Sequence, residues 1–104
     1  MAPRDRIYGE IGYPAFSIYT RGTTTAAFAG NYINFVDEIT GKEFVGYSII
    51  IVNDASNEIQ ISFDGVNVHG DLLGGDQISL DRRREQEMWL RSAAGSDKFR
   101  VWVW

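Results

Sequence analysis

Four side chains able to do chemistry fall within thirteen residues of this chain: Asp64, His69, Asp71 and Asp76. Carboxylates gathered in this way are the hard oxygen ligands that Ca²⁺ takes. The spacing lacks the D-x-D-x-D-G order of an EF-hand loop, however. His69 is the only histidine in 104 residues and there is no cysteine, so neither an imidazole cluster nor a thiolate site can form. The same stretch holds Gly65, Gly70, Gly74 and Gly75. Asp64-Gly65 and Gly74-Gly75-Asp76 are turn chemistry, because glycine accepts positive φ and aspartate bonds to its own nearby backbone. The stretch therefore reads as a corner between strands, with no metal and no cofactor expected.

Other catalytic patterns are thinner still. A serine nucleophile would have to use His69, and no G-x-S-x-G turn exists. Glu85 and Glu87 could pair as the carboxylates of a glycoside hydrolase, but they sit beside arginines and read as a solvated charge run. Gly41-Lys42 lacks the glycine spacing of a phosphate loop. With no assembled nucleophile, base or metal set, the chain is expected not to be an enzyme.

Binding is the more promising chemistry. Arg82, Arg83 and Arg84 form the one basic cluster, and Asp81, Glu85 and Glu87 cancel most of its field. With a net charge of −4 as well, nucleic acid is not an expected partner. The arginines could instead hold a partner's carboxylates through bidentate pairs, or simply form a solvated turn. Trp89, Trp102 and Trp104 could stack on sugar rings. The competing assignment puts Trp89 in the core and the other two at an interface.

These side chains must be carried by strands. Ala15–Thr20, Tyr32–Val36, Phe44–Asn53, Glu58–Asp64, Asp76–Arg82, Glu87–Ser92 and Lys98–Trp104 each read as a strand, from alternation or from aromatic and β-branched content. Gly22–Gly30 reads as a loop, a weak strand or a short turn. Thr40-Gly41-Lys42 is a hairpin signal, and Asp54–Asn57 is a four-residue turn that would make residues 44–64 a hairpin. The run Ile49–Val52 suggests burial on both faces. Only Arg83–Glu87 offers a single helical turn. In the last strand, Phe99, Val101 and Val103 point one way and Arg100, Trp102 and Trp104 the other. Tryptophans on an outer face need cover, either from the N-terminal segment or from another subunit.

Short strands about ten residues apart, divided by turns, make an all-β chain: an antiparallel β-sandwich or a small barrel. Its length suits one domain, residues 15–104, preceded by an extended N-terminal arm, residues 1–14, which holds both prolines. No stretch approaches the roughly 20 apolar residues of a membrane span. MAPRDRIYGE has no apolar signal core. A chain made in the cytoplasm, with no membrane partner, is the expectation.

Residues 47–104 resemble a group of small tailed-phage virion proteins. The resemblance is carried by Ile49-Ile50-Ile51-Val52-Asn53-Asp54, by Ile59-x-Ile61-Ser62-Phe63-Asp64-Gly65-Val66, and by the glycine-rich loop with Leu72-Leu73. Ile78-x-Leu80-Asp81, Met88-Trp89-Leu90 and Arg100-Val101-Trp102-Val103-Trp104 complete it. It implies a jelly-roll-like sandwich on the surface of a phage particle, with the role of a capsid decoration (cement) protein. The implied partner is the major capsid protein and the implied location is the virion surface, after synthesis in the host cytoplasm. Neck or tail components share such sandwiches, so that role stays open, as does a carbohydrate- or receptor-binding module. The partner-binding candidates are Arg4, Arg6, Ile7 and Tyr8 of the arm, with Arg82, Arg83, Arg84, Trp102 and Trp104. An open apolar face on the last strand favours a homodimer or homotrimer, because closed symmetry hides identical patches.

Overall fold

The alternating runs become eight strands in a computed structural model that describes residues 18–37 and 40–104. The strands are β1 (Ile18–Thr23), β2 (Tyr32–Asn34), β3 (Ile49–Asn53), β4 (Ile59–Ser62), β5 (Gly70–Leu72), β6 (Gln77–Leu80), β7 (Glu87–Arg91) and β8 (Lys98–Val103). One 3₁₀ turn, Phe28–Gly30, occupies the small-residue stretch between β1 and β2.

All pairings between these strands are antiparallel. One sheet has the order β1-β8-β3-β6 and the other β2-β7-β4-β5. Numbered along the chain, the pairs β1·β8, β2·β7, β3·β6 and β4·β5 are nested like the two arms of one long hairpin. The remaining pairs, β3·β8 and β4·β7, join neighbouring turns of that hairpin into sheets.

Period-two alternation decides what lies between the sheets. The first sheet buries Ile18, Ile49, Ile51, Phe99, Val101 and Val103, and the second buries Ile59, Ile61, Leu72, Met88 and Leu90, in one shared hydrophobic cluster with Phe35. The structure decides between the two faces of the last strand: Phe99, Val101 and Val103 are buried, and Arg100 and Trp102 face outward. Phe63 packs half-buried against the cluster, on the side of Ile59 and Ile61 as the alternation requires.

Several local expectations are corrected. Residues 44–64 are not a hairpin, because β3 and β4 lie in different sheets and both edges of β3 are filled, by β6 and β8. The buried side chain of Asn53 redirects the chain. Its Nδ2 donates to the carbonyls of Asn57 (2.8 Å), Leu72 (3.0 Å) and Leu73 (3.1 Å), and its Oδ1 accepts from Ala55 N–H (2.9 Å). A residue at the end of the first sheet thus ties down the end of β5 in the second. The first strand runs on to Thr23, past the expected end at Thr20, and residues 15–17 lie outside the described residues. Phe44–Ser48 are outside β3, and Gly46 passes so close to Val103 and Phe35 that a Cβ would lie 2.6 Å and 2.9 Å from their side chains. Arg83–Glu87 forms no helical turn, since Glu85 bridges to Gly46 as an extended residue.

Other turns stand where the sequence placed them. Val36 bridges Glu43 across the segment carrying Gly41, whose φ is +73°. The glycine-rich corner divides its work: residues 63–69 connect β4 to β5, and Leu73–Asp76 cross from one sheet to the other, closed by Asp76 N–H donating to Leu73 O. The arm, residues 1–14, lies outside the described residues. Among the described residues no helix is long and apolar enough to cross a membrane.

Candidate functional site

The acidic corner resolves into separate structural roles. Asp64 Oδ1 accepts from the backbone N–H groups of Val66 and Asn67, both at 2.8 Å, and from Ser62 Oγ at 3.0 Å; Oδ2 accepts from Asn67 Nδ2 at 2.8 Å. The bonds from Asn67, then Val66, hold its carboxyl far below the usual carboxylate range. His69 Nδ1 accepts from Phe63 N–H at 2.9 Å, so a neutral ring carries its proton on Nε2, 3.7 Å from Asp64 Oδ2. Ser62, Asp64 and His69 are thus neighbours in the wrong order for a nucleophile and its base, with the buried serine bonded to the carboxylate rather than the imidazole. Asp71 lies on β5 beside Glu58, whose carboxyl is pushed up by a hydrogen bond to Asp71. Asp76 precedes β6. Among the described residues, no three acidic or histidine side chains gather where a metal ion could be held.

The arginine cluster also divides. Arg83 turns back on the protein: its Nη2 and Nε lie 2.6 Å and 3.1 Å from Glu85 Oε2, and its guanidinium covers the Phe63 ring at 4.6 Å. Arg82 and Arg84 are exposed, and Arg82 sits at φ 60°, in the left-handed region. Arg83 N–H donates to Tyr47 O, while Tyr47 and Ser48 N–H donate to Trp104 O. The arginines and Trp104 therefore flank the same short segment at one end of the first sheet. Arg4, Arg6, Ile7 and Tyr8 lie outside the described residues.

The three tryptophans are not one platform. Trp89 is half-buried on the outer face of the second sheet rather than in the core, because its alternation partners Met88 and Leu90 take the inner positions. Its ring lies tilted against that of Tyr32, centroids 5.0 Å apart, and the Tyr32 hydroxyl donates to Glu87 Oε1 at 2.8 Å. Trp102 lies on the outer face of the opposite sheet.

It is this second outer face that assembles residues of matched chemistry. Register places Tyr19, Trp102 and Ile50 side by side across β1, β8 and β3, and Arg21, Arg100 and Val52 side by side one step along. Tyr19 and Trp102 ring centroids are 5.1 Å apart, and the Arg100 guanidinium lies 5.4 Å from the Trp102 ring. Beside them a depression of about 720 Å³ is lined by Arg21, Thr23, Asp54, Lys98 and Arg100, among others. Arg100 meets Asp54 in a fork, Nε to Oδ2 at 2.6 Å and Nη2 to Oδ1 at 2.9 Å. That pairing lowers the Asp54 carboxyl pKa and raises that of Arg100. Arg21 and Lys98 have no ion-pair partner among the described residues.

Of these residues, sequence reasoning singled out Trp102 and put Arg100 on the same side of its strand. Tyr19, Ile50, Arg21 and Lys98 were missed, because they join the face only through the pairing of β8 with β1 and β3. Compared with known proteins, the chain matches no protein-family model and has no significant similarity to a curated protein.

Proposed function

We propose that this chain is a structural virion protein of a tailed phage, a small jelly roll that binds the assembled capsid shell as a decoration protein. The observation that carries the reading is the nesting of strand pairs into β1-β8-β3-β6 and β2-β7-β4-β5. Eight antiparallel strands nested as a doubled hairpin support a jelly-roll reading, an arrangement used repeatedly by viral capsid domains. The phage-protein pattern over residues 47–104 agrees with it. So does the outer face of the first sheet, where large aromatic and cationic groups form a surface suited to a protein neighbour.

In this reading the partner is the major capsid protein. The arm with Arg4, Arg6, Ile7 and Tyr8 clamps the neighbour, and a dimer or trimer follows the local symmetry of the shell. Binding only the assembled shell stabilises it by mass action. The test is the copy number of the chain in purified particles of its phage, by quantitative mass spectrometry. A fixed ratio to the shell subunit is expected. A few copies per particle would move the protein to the neck or tail, and absence from particles would overturn the structural role.

A glycan- or receptor-binding role has its own observation: Tyr32 is 49% exposed and its ring lies against Trp89, and lectins also use the jelly roll. Glycan-dependent change in tryptophan emission that is lost in Tyr32→Ala would favour it.

A further inference from the structure

We infer that the outer face of the first sheet docks an extended acidic segment of a partner protein, with carboxylates over Arg21, Arg100 and Lys98 and an apolar side chain over Tyr19, Trp102 and Ile50. This deepens the reading of the chain as a binding protein by naming the chemistry of what it binds.

Three features carry the inference. The first is charge. Arg21, Lys98 and Arg100 face one depression with Asp54 as the acidic group among its lining residues, so the spot is cationic on a chain whose net charge is −4. Asp54 pins Arg100 in place, while among the described residues Arg21 and Lys98 have no ion-pair partner and so offer their donors to a ligand. Fixed cations beside unpaired ones favour carboxylates, which both guanidinium and ammonium groups can hold.

The second is spacing. Along β8 the outward side chains run Lys98, Arg100, Trp102, and along β1 they run Arg21, Tyr19 beside them. Successive outward positions on a strand are about 6.8 Å apart. A partner in extended conformation repeats its own side chains at the same interval. It can therefore match the face with the order acid, any residue, acid, any residue, apolar.

The third is the state of the aromatic row. Trp102 has Tyr19 at 5.1 Å, tilted by 31°, and the Arg100 guanidinium at 5.4 Å, so its ring already has close neighbours. The row offers an apolar floor of Tyr, Trp and Ile rather than a free ring face for a nucleobase, and tryptophan, tyrosine and arginine are the residue types that dominate protein interfaces. Residues 1–17 do not supply the occupant's charge pattern, since Arg4 and Arg6 there balance Asp5 and Glu10.

The test uses the full chain, ¹⁵N-labelled, titrated to millimolar concentrations with three probes: the blocked peptide Asp-Thr-Asp-Thr-Leu-Thr, its Asn-Thr-Asn-Thr-Leu-Thr counterpart, and oligothymidylate. The acidic peptide is expected to shift amides of Tyr19–Thr23 and Lys98–Trp102 and the Trp102 indole N–H. The affinity should fall about tenfold or more in the double variant R21E/K98E, and should fall with added salt. Amide dispersion reports whether that variant is folded. Equal response to the amide peptide, a stronger response to oligothymidylate, shifts centred elsewhere, or no response would each overturn the inference. So would broadening of the same signals with protein concentration alone, which would assign the face to a second copy. Because no particle enters this experiment, its failure leaves the virion role standing, and loss of the virion role leaves the docking chemistry standing.

Discussion

Replacing Asn53 with alanine should cost the protein about 3 kcal/mol, a large loss for a small domain whose total stability is of order 5–15 kcal/mol. The figure follows from the bonds. The carboxamide is fully buried and reaches three carbonyls and one backbone N–H. Two N–H hydrogens cannot serve three acceptors at full strength, so the side chain makes about three bonds' worth of interaction. Each is worth about 1 kcal/mol net, and more where the stranded partner cannot reach water. For a domain of this size the melting temperature should fall by roughly 15 °C.

Asn53→Asp makes the sharper test, because it keeps the shape but removes both donors. The introduced carboxyl faces the carbonyls of Asn57, Leu72 and Leu73, and burial among acceptors raises its folded pKa above the unfolded value of about 3.9. A group raised on folding binds more protons in the native state. Stability should therefore be greatest below the unfolded pKa and should decline as pH rises through the folded one. Urea titrations followed by tryptophan emission, at acid and neutral pH, read both variants. A loss below about 1 kcal/mol for the alanine variant would refute the claim that this side chain ties the sheets together. So would an aspartate variant as stable at neutral as at acid pH.

Ile51 is fully buried between the sheets while Ile50 lies half-buried beside Trp102. Ile51→Ala should cost about 2–5 kcal/mol and Ile50→Ala clearly less in the same urea assay. Gly65 has φ +81°, and a Cβ there would lie 3.0 Å from the Trp89 ring, so Gly65→Ala should cost about 1–2 kcal/mol and alter the emission of Trp89. Asp64 is held ionised by Asn67 and Val66. Its folded pKa lies below the unfolded one, so its contribution is present above the unfolded value and is lost as pH falls through the depressed folded value. The amide signals of Val66 and Asn67 should keep their neutral-pH positions until well below the range where ordinary carboxylates titrate, and should lose that behaviour in Asp64→Asn.

The face proposed for docking shows how far a local pattern reaches. Alternation in Lys98–Trp104 separates Phe99, Val101 and Val103 from Arg100 and Trp102, because a strand sends successive side chains to opposite sides whatever it pairs with. The same rule could not place Trp89. Met88, Trp89 and Leu90 present large apolar groups to both faces; in the fold Met88 and Leu90 are fully buried, and the Trp89 ring lies against Tyr32 on the outer side. The run Ile49–Val52 suggests burial on both faces, and it largely has it: Ile49 and Ile51 are buried in the core, Val52 is buried on the other side, and Ile50 is half-covered there by its alignment with Trp102.

By itself the sequence determined the all-β class, the main turns and which side chains of β8 share a face. These depend on backbone geometry over a few residues: period-two alternation, and glycine or aspartate where a turn demands them. Only the tertiary structure decided which strands pair. Chain proximity argued for a hairpin over residues 44–64, yet the Asn53 side chain and the filled edges of β3 send β4 to the other sheet. Pairing across long sequence separations is set by the burial of one shared core, which no local window contains. For the same reason Tyr19, Arg21, Ile50 and Lys98 became neighbours of Trp102 and Arg100 only when the two ends of the chain met as β1 and β8.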